Sequence, residues 1–213
     1  MDQPTTTTQP KGKFFAFENQ RKRAGDNRPQ FIDGQIELLD SGKVFALPAI
    51  FVVGGKVDGK AAITRMYGFT DPYPINTPIR ERVAAKAARE QEAPRAAFVG
   101  EKGEYLLQSG QYILFPNPAA GTPGKSGHAN TDMYGYWNPG SQYPIVKLGA
   151  WMGDKNGKGY INGETQLPLP GKEDGVLPDI DPSETYDNHN QDLEHESAPR
   201  GRRGRAKETE MAR

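Results

Sequence analysis

Residues 31–69 have the sequence FIDGQIELLDSGKVFALPAIFVVGGKVDGKAAITRMYGF, and this stretch decides the fold class. Three apolar runs, at 31–39, 44–53 and 61–69, are separated by the turn-rich segments DSGK and GGKVDG. Short apolar runs bounded by Gly, Asp and Ser are typical of β-strands joined by tight turns. Pro48 interrupts the second run and indicates a bulge or a sheet edge, because proline cannot donate a ladder hydrogen bond. The stretch therefore predicts a three-stranded meander.

Strand patterns continue on both sides of this meander. GKFFAF, at 12–17, predicts a first short strand, and residues 96–99, 105–108 and 111–115 predict three more. The last two predicted strands, 145–152 and 159–167, flank the segment GDKNGK. Its Asn-Gly pair tolerates the positive φ angles of a hairpin turn.

One helix is predicted over residues 79–92. Thr77 is a suitable cap, Pro78 suits the first helical position, and the segment is rich in Ala, Arg, Lys and Glu. Ile79, Val83 and Ala87 recur every four residues, so we expect a narrow apolar stripe that packs on the sheet.

Composition divides the chain into a body and two polar ends. Only 35% of the residues are hydrophobic, with 25 Gly and 18 Pro, so the whole length cannot be close-packed. We predict a mainly β fold, an OB-like antiparallel barrel or meander sheet with one helix. The predicted organisation is a disordered leader (1–11), a β-rich nucleic-acid-binding-like domain (12–170) and a disordered acidic-then-basic tail (171–213).

The charge is distributed unevenly. Residues 173–199 hold nine acidic residues and no Lys or Arg, whereas residues 200–213 hold six basic residues against two acidic ones. The remaining body, 1–172, has 21 Lys and Arg against 16 Asp and Glu, a net charge of +5. A basic body favours a polyanionic partner.

The sequence contains no cysteine, which excludes disulfides, thiolate metal sites and a cysteine nucleophile. The opening residues MDQPTTTTQPKGK lack the apolar run of a secretory signal. The longest apolar run, 44–53, is too short to span a bilayer. We therefore expect a cytoplasmic protein without membrane contact, in the bacterial host cytoplasm if it is phage-encoded.

No catalytic or metal-binding signature emerges. AAGTPGKS, at 119–126, satisfies a loose phosphate-loop pattern, but a phosphate loop must open a helix and none is predicted after it. Whether this loop binds phosphate stays open. His128, His189 and His195 lack a metal-ligand spacing. We expect no enzymatic activity, no catalytic residues, no metal and no cofactor.

Strand alternation suggests a binding face. Val146, Leu148, Ala150 and Met152 share the predicted core face of the last hairpin, and its other face carries Lys147 and Trp151. The polar face of the next strand begins at Tyr160, next to Trp151, and Arg65 and Tyr67 share one side of an earlier strand. Exposed aromatic rings among Lys and Arg suit unpaired bases. An alternative is that these rings only cover one another across strands.

Two basic segments add to this pattern, a loop before the meander and the Arg/Gly stretch at 200–205. The predicted nucleic-acid-binding residues are Arg21, Lys22, Arg23, Arg28, Arg65, Tyr67, Lys147, Trp151, Lys155, Lys158 and Tyr160.

The order of elements, a meander, a helix and further strands, is similar to the oligonucleotide/oligosaccharide-binding barrel. An acidic tail after a basic β-rich body resembles the single-stranded-DNA-binding proteins of bacteria and their phages. The resemblance covers residues 31 to about 115, the tail, and GAWMGDKNGKGYINGE at 149–164. The basic tip departs from that family, whose tails usually end in acidic residues and an apolar terminus. The extra strands imply an insertion or a second small sheet.

The resemblance implies a single-stranded nucleic-acid-binding protein, of DNA or RNA, with little sequence preference and a role in replication or recombination. In that family the acidic tail recruits partners, so replication proteins are the implied partners here. Self-association into a homo-oligomer stays open. The alternative is a structural or adaptor protein, for example of a phage particle, whose charged tails contact other subunits.

Overall fold

The computed structural model describes residues 11–39, 41–57, 60–100, 103–124 and 129–166. The predictions for residues 1–10 and for the tail at 171–213 lie outside these ranges. Ten strands and one helix lie within them. They are β1 (Gly12–Glu18), β2 (Phe31–Leu38), β3 (Lys43–Val57), β4 (Lys60–Phe69), α1 (Ile79–Glu90), β5 (Arg95–Gly100), β6 (Gly103–Leu107), β7 (Gln111–Pro116), β8 (Met133–Trp137), β9 (Val146–Lys155) and β10 (Lys158–Gln166).

Eight strands form a closed antiparallel barrel in the order β1-β10-β9-β8-β7-β4-β3-β2. Each barrel strand pairs with the next one along the chain, and β1 pairs with β10 to close the ring. The predicted meander is β2-β3-β4, and the mainly β barrel with one helix is confirmed. α1, β5 and β6 form an insertion between β4 and β7. Closure removes the free edges of the sheet except at the start of β4, because β7 pairs only with Met66–Phe69.

The barrel interior is filled by inward-facing apolar side chains. Alternate residues of β9, Val146, Leu148 and Ala150, are buried there as predicted. Met152 is an exception because it is 39% exposed near the end of the strand. Burial of this alternating set stabilises the barrel by roughly 1.5–3 kcal/mol for each large side chain. The same core includes Phe14, Phe31, Ile36, Leu38, Phe45, Leu47, Ile50, Met66, Tyr112, Leu114, Trp137 and Ile161.

The predicted irregularity at Pro48 is present inside the barrel wall. Leu47 and Ile50 both face the core, so the inward side of β3 changes between them. On the neighbouring strand, Asp33 lies opposite Pro48 between two ladder pairs and has a φ of 54°. A left-handed residue opposite a proline lets the ladder continue while the alternation of faces shifts.

A second layer covers one side of the barrel. β5 and β6 form a separate two-stranded sheet, and their side chains pack against the outer faces of β4, β7 and β8. Phe98 of β5 lies 4.9 Å from the ring of Tyr136 and 6.0 Å from that of Phe115. The expected second small sheet is therefore confirmed. It buries the outer face of β7, where Ile113 and Phe115 are fully covered.

The helix differs from its prediction. α1 begins after Pro78, which is the cap residue and makes no side-chain capping hydrogen bond, so Thr77 is not the cap. The expected packing of the apolar stripe is wrong, because Ile79 and Val83 are 80% and 77% exposed and α1 has no buried residue. Among the described residues, no helix is both long and apolar enough to cross a membrane.

Two arginines fix the helix instead, Arg89 against the barrel and Arg82 against the connection between β4 and α1. Arg89 donates to the carbonyl oxygens of Ser109, at 2.7 Å, and Thr70, and its guanidinium lies 5.5 Å from the Phe69 ring. Arg82 lies 5.1 Å from the Tyr73 ring. Burial lowers the pKa of Arg89. The helix is therefore attached by arginine side chains and their cation–π contacts, and not by the aliphatic side chains that the apolar periodicity predicts.

Candidate nucleic-acid interface

Several chain connections meet at one end of the barrel. β1 ends where β10 begins, since Phe17 pairs with Tyr160, and Glu18 pairs with Phe31 at the start of β2. The β1–β2 loop, residues 19–30, therefore lies beside the β9–β10 turn, whose ends are Lys155 and Lys158. We call this end of the barrel, defined by that loop and that turn, the basic end.

Aromatic side chains occupy neighbouring outward positions on three strands next to the basic end. The outward aromatic residues of β1 are half-buried Phe15 and exposed Phe17, and Tyr160 on β10 pairs with Phe17. On β9, Trp151 pairs with Asn162, two residues from Tyr160, so the predicted proximity of Trp151 and Tyr160 is confirmed. We call Phe15, Phe17, Trp151 and Tyr160 the aromatic face.

The rings of this face are accessible in different degrees. Phe17 is 54% exposed, and its ring centroid lies 5.6 Å from that of Phe15. Trp151 and Tyr160 are half-buried. Phe15 and Phe17 were missed by the sequence analysis. The alternation of FFAF, with Phe14 and Ala16 turned into the barrel, is the signal that could have revealed them.

A groove of about 690 Å³ lies at the junction of the aromatic face and the basic end. Phe17 and Tyr160 line it together with Lys155 and Lys158, which are exposed. In the described part of the chain, neither lysine forms an ion pair. The groove thus combines apolar ring surface with two free positive charges. The remaining lining residues are Glu18, Gln20, Asp33 and Gly159.

The two carboxylates of the groove differ in their surroundings. Glu18 accepts the backbone N–H of Gly159 at 2.9 Å and the side-chain amides of Gln20 and Gln30 at 3.2 and 3.3 Å. It therefore holds the β9–β10 turn against the β1–β2 loop. Asp33 is exposed and makes no comparable contact within the described residues.

The basic loop is ordered by its own polar groups. Asp26 accepts the backbone N–H of Arg28 at 2.6 Å and pairs with its guanidinium at 2.8 Å, and the backbone hydrogen bond lowers the pKa of the Asp26 carboxyl. Lys22 donates to the carbonyl oxygens of Asp26, at 2.8 Å, and Arg28. Two of the four predicted basic residues therefore shape the loop, and Arg21 and Arg23 extend into solvent.

The remaining predicted residues lie elsewhere. Lys147 is half-buried on the outer side of β9 and pairs with Gln166, four residues before Trp151 and roughly 13 Å from it along the strand. Arg65 and Tyr67 are only 7% and 9% exposed. Tyr67 packs against Phe51 at 5.5 Å in the cluster beneath the β5–β6 sheet. The expectation that these two side chains form an exposed face is corrected, because both are buried and the insertion covers Tyr67.

The loop with the phosphate-loop pattern lies at the same end of the barrel but outside the groove. Its described part, residues 119–124, forms turns and one isolated β-bridge between Pro123 and Ala129, and Thr122 donates to the carbonyl oxygen of Ala119 at 2.7 Å. Lys125, Ser126 and His128 lie outside the described residues, as do His189 and His195. Across the described ranges, no three His, Asp or Glu side chains are grouped as metal ligands. No protein-family model matches this chain, and no curated protein or solved structure is significantly similar to it.

Proposed function

We propose that this protein binds single-stranded nucleic acid on the aromatic face and at the basic end. The observation that carries the proposal is the placement of Phe17, Tyr160 and Trp151 on adjacent strands beside the free lysines Lys155 and Lys158. Such an activity fits a role in DNA replication or recombination, and DNA is the polymer we favour. The proposal agrees with the function that the resemblance to single-stranded-DNA-binding proteins implies.

Stacking supplies the apolar part of the binding energy. Each base stacked on an aromatic ring contributes roughly 1–3 kcal/mol and tolerates any base, because every base has a π-face. A duplex hides these faces, so exposed rings favour unpaired strands. Phe17, with more than half of its surface accessible, offers the largest open ring of the aromatic face.

Electrostatic contacts supply the rest. Lys155 and Lys158 stand at the rim of the groove, and Arg21 and Arg23 continue the positive charge along the β1–β2 loop. A strand that crosses the aromatic face can therefore place its phosphates along this rim. Its affinity should fall steeply as the salt concentration rises, because counterions are released on binding.

Fluorescence anisotropy with fluorescein-labelled oligo-dT tests the proposal at low salt. Phe17→Ala and Trp151→Ala should each weaken binding about 5- to 150-fold, the loss of one stacked base. Ile79→Ala is the control, since it removes an even more exposed apolar side chain, from α1 and away from the aromatic face. Absence of any anisotropy change with the unaltered protein would refute the proposal.

A second candidate function is a contact with another protein through α1. Ile79 and Val83 lie one turn apart and are 80% and 77% exposed, which favours a partner surface over solvent. This candidate corresponds to the structural or adaptor role. Sedimentation of the unaltered protein tests it for self-association. A stable oligomer in the absence of nucleic acid that dissociates in Val83→Asp would support it, and a monomer at all concentrations would count against self-association.

A further inference from the structure

The groove contains a carboxylate that stacking and phosphate binding do not require. Asp33 lines it with Phe17 and Tyr160, and its backbone has a φ of 54° in the left-handed region. Non-glycine residues adopt this conformation rarely, although Asp and Asn do so more often than others. Within the described residues Asp33 forms neither a hydrogen bond nor an ion pair, whereas Glu18 accepts three donors. Of the two carboxylates in the groove, Asp33 is therefore the one whose oxygens remain available to a ligand.

A free carboxylate opposes phosphate binding, so its presence between aromatic rings and lysines suggests that it contacts the base instead. We propose that Asp33 recognises guanine, so that the groove selects a guanine base within a bound single strand. This inference rests on the proposed function and names the base that occupies the groove.

Guanine is the base whose unpaired edge fits a carboxylate best. An ionised carboxylate only accepts hydrogen bonds, through two oxygens that can engage two parallel donors. The Watson–Crick edge of guanine presents such donors side by side, its N1–H and its 2-amino group. Adenine and cytosine present an amino group next to an acceptor nitrogen. Thymine and uracil present one N–H between two carbonyl oxygens, which the carboxylate repels.

The same chemistry links base choice to strand state. In a duplex the Watson–Crick edge of guanine is occupied by cytosine, so Asp33 can reach it only in an unpaired strand. The groove volume of about 690 Å³ lies within the range of small-molecule sites, about 300–1,000 Å³, and is sufficient for a nucleotide. Phe17 and Tyr160 provide ring surface for the purine, and Lys155 and Lys158 can hold the adjoining phosphates.

The test compares three oligonucleotides by fluorescence anisotropy with the full chain. They are oligo-dT, the same strand with one central guanine, and the same strand with inosine at that position. We expect the guanine strand to bind about five- to tenfold more tightly than oligo-dT. This preference is near the lower end of what a bidentate base contact provides, because the site is open to water. Inosine lacks the 2-amino group, so its strand should lose most of that gain.

Asp33→Asn tests the residue itself. Asparagine keeps the size of the side chain and tolerates the left-handed backbone, but its amide nitrogen would meet a donor of guanine. The variant should bind the guanine strand and oligo-dT equally. Glu104→Gln, which removes an exposed carboxylate on β6, should keep the preference.

The outcomes separate this inference from the proposed function. Binding of all three strands with equal affinity would overturn guanine recognition and leave single-strand binding intact. A guanine preference that persists in Asp33→Asn, or that inosine retains in full, would also overturn it. Failure to bind any strand would overturn both proposals. The comparison of the guanine and inosine strands uses the unaltered protein, so it tests guanine recognition even if Asp33→Asn does not fold.

Discussion

Tyr160 lies across Gly153 on the outer surface of the barrel. The two residues are paired between β10 and β9, and a Cβ atom at position 153 would stand 2.4 Å from the Tyr160 ring. The ring therefore rests on the bare backbone of the neighbouring strand, which fixes its position beside the groove. An aromatic ring over a cross-strand glycine is a known way to stabilise a sheet and to orient the ring.

Gly153→Ala should weaken single-strand binding while preserving the fold. The added methyl group would push the far end of the Tyr160 ring away, and no backbone atom is among the nearest contacts at that position. We expect oligo-dT affinity to fall severalfold and the melting temperature to change by only a few degrees. Anisotropy and circular dichroism measure the two effects. Gly54→Ala is the control, because its nearest neighbour atom is 3.9 Å away. Equal affinity in both variants would contradict an ordered role for Tyr160.

Much of the barrel could be predicted because its strands are short apolar runs bounded by turn-forming residues. In β9, for example, every second residue is apolar, and Val146, Leu148 and Ala150 share one face. This period of two predicts a buried face whether the sheet stays open or closes into a barrel. The position of α1 could not be predicted in this way. Its contacts are made by Arg89 with the barrel and by Arg82 with the connection between β4 and α1, whereas periodicity indicated the aliphatic residues.

The candidate site was only partly accessible to sequence reasoning. Trp151 and Tyr160 belong to one hairpin, so local alternation brought them together. Phe17 joins them only because the first and last strands pair to close the barrel, and no local pattern records that pairing. Tyr67 shows a second limit of sequence reasoning: its strand alternation places it on an outward face, but the inserted β5–β6 sheet buries that face.

Arg89→Ala should detach α1 and leave the barrel folded. The helix has no buried residue, and helices of about 12–15 residues are marginal in isolation, so its attachment depends on the arginine contacts with Ser109 and Thr70. Hydrogen exchange of the α1 amides should accelerate strongly, whereas amides of β7 and β9 should stay protected. Arg80→Ala is the control, since the Arg80 side chain is 86% exposed. Unchanged exchange in Arg89→Ala would show that other contacts hold the helix.

The barrel should lose stability in alkaline solution through Tyr112. Burial raises the pKa of its phenol well above 10.0, and its hydroxyl donates to the carbonyl oxygen of Ala49 at 2.5 Å. The unfolded chain releases this proton at a lower pH than the folded one. The contribution of Tyr112 is therefore fully present below about pH 10 and is lost as the pH rises above it. Urea unfolding as a function of pH should show this decline.

Tyr112→Phe provides the comparison for that titration. At neutral pH it should cost about 1 kcal/mol of unfolding free energy for the lost hydrogen bond. Above about pH 10 its stability should fall less steeply than that of the unaltered protein, because one buried ionisable group has been removed. Parallel alkaline slopes in the two proteins would refute the assignment to Tyr112.

The double substitution Lys155→Ala and Lys158→Ala should reduce both the affinity for oligo-dT and its dependence on salt. Each phosphate contact with a single strand contributes a slope of about 0.7 in a plot of log affinity against log salt, so the slope should shrink by about 1.4 if both lysines contact phosphates. Lys155 and Lys158 are exposed and form no ion pair within the described residues, so the melting temperature should not change. Arg80→Ala with Lys86→Ala removes the same charge from α1, away from the groove, and should leave the slope intact. Equal reductions in the two double variants would mean that net charge, and not the rim of the groove, attracts the strand.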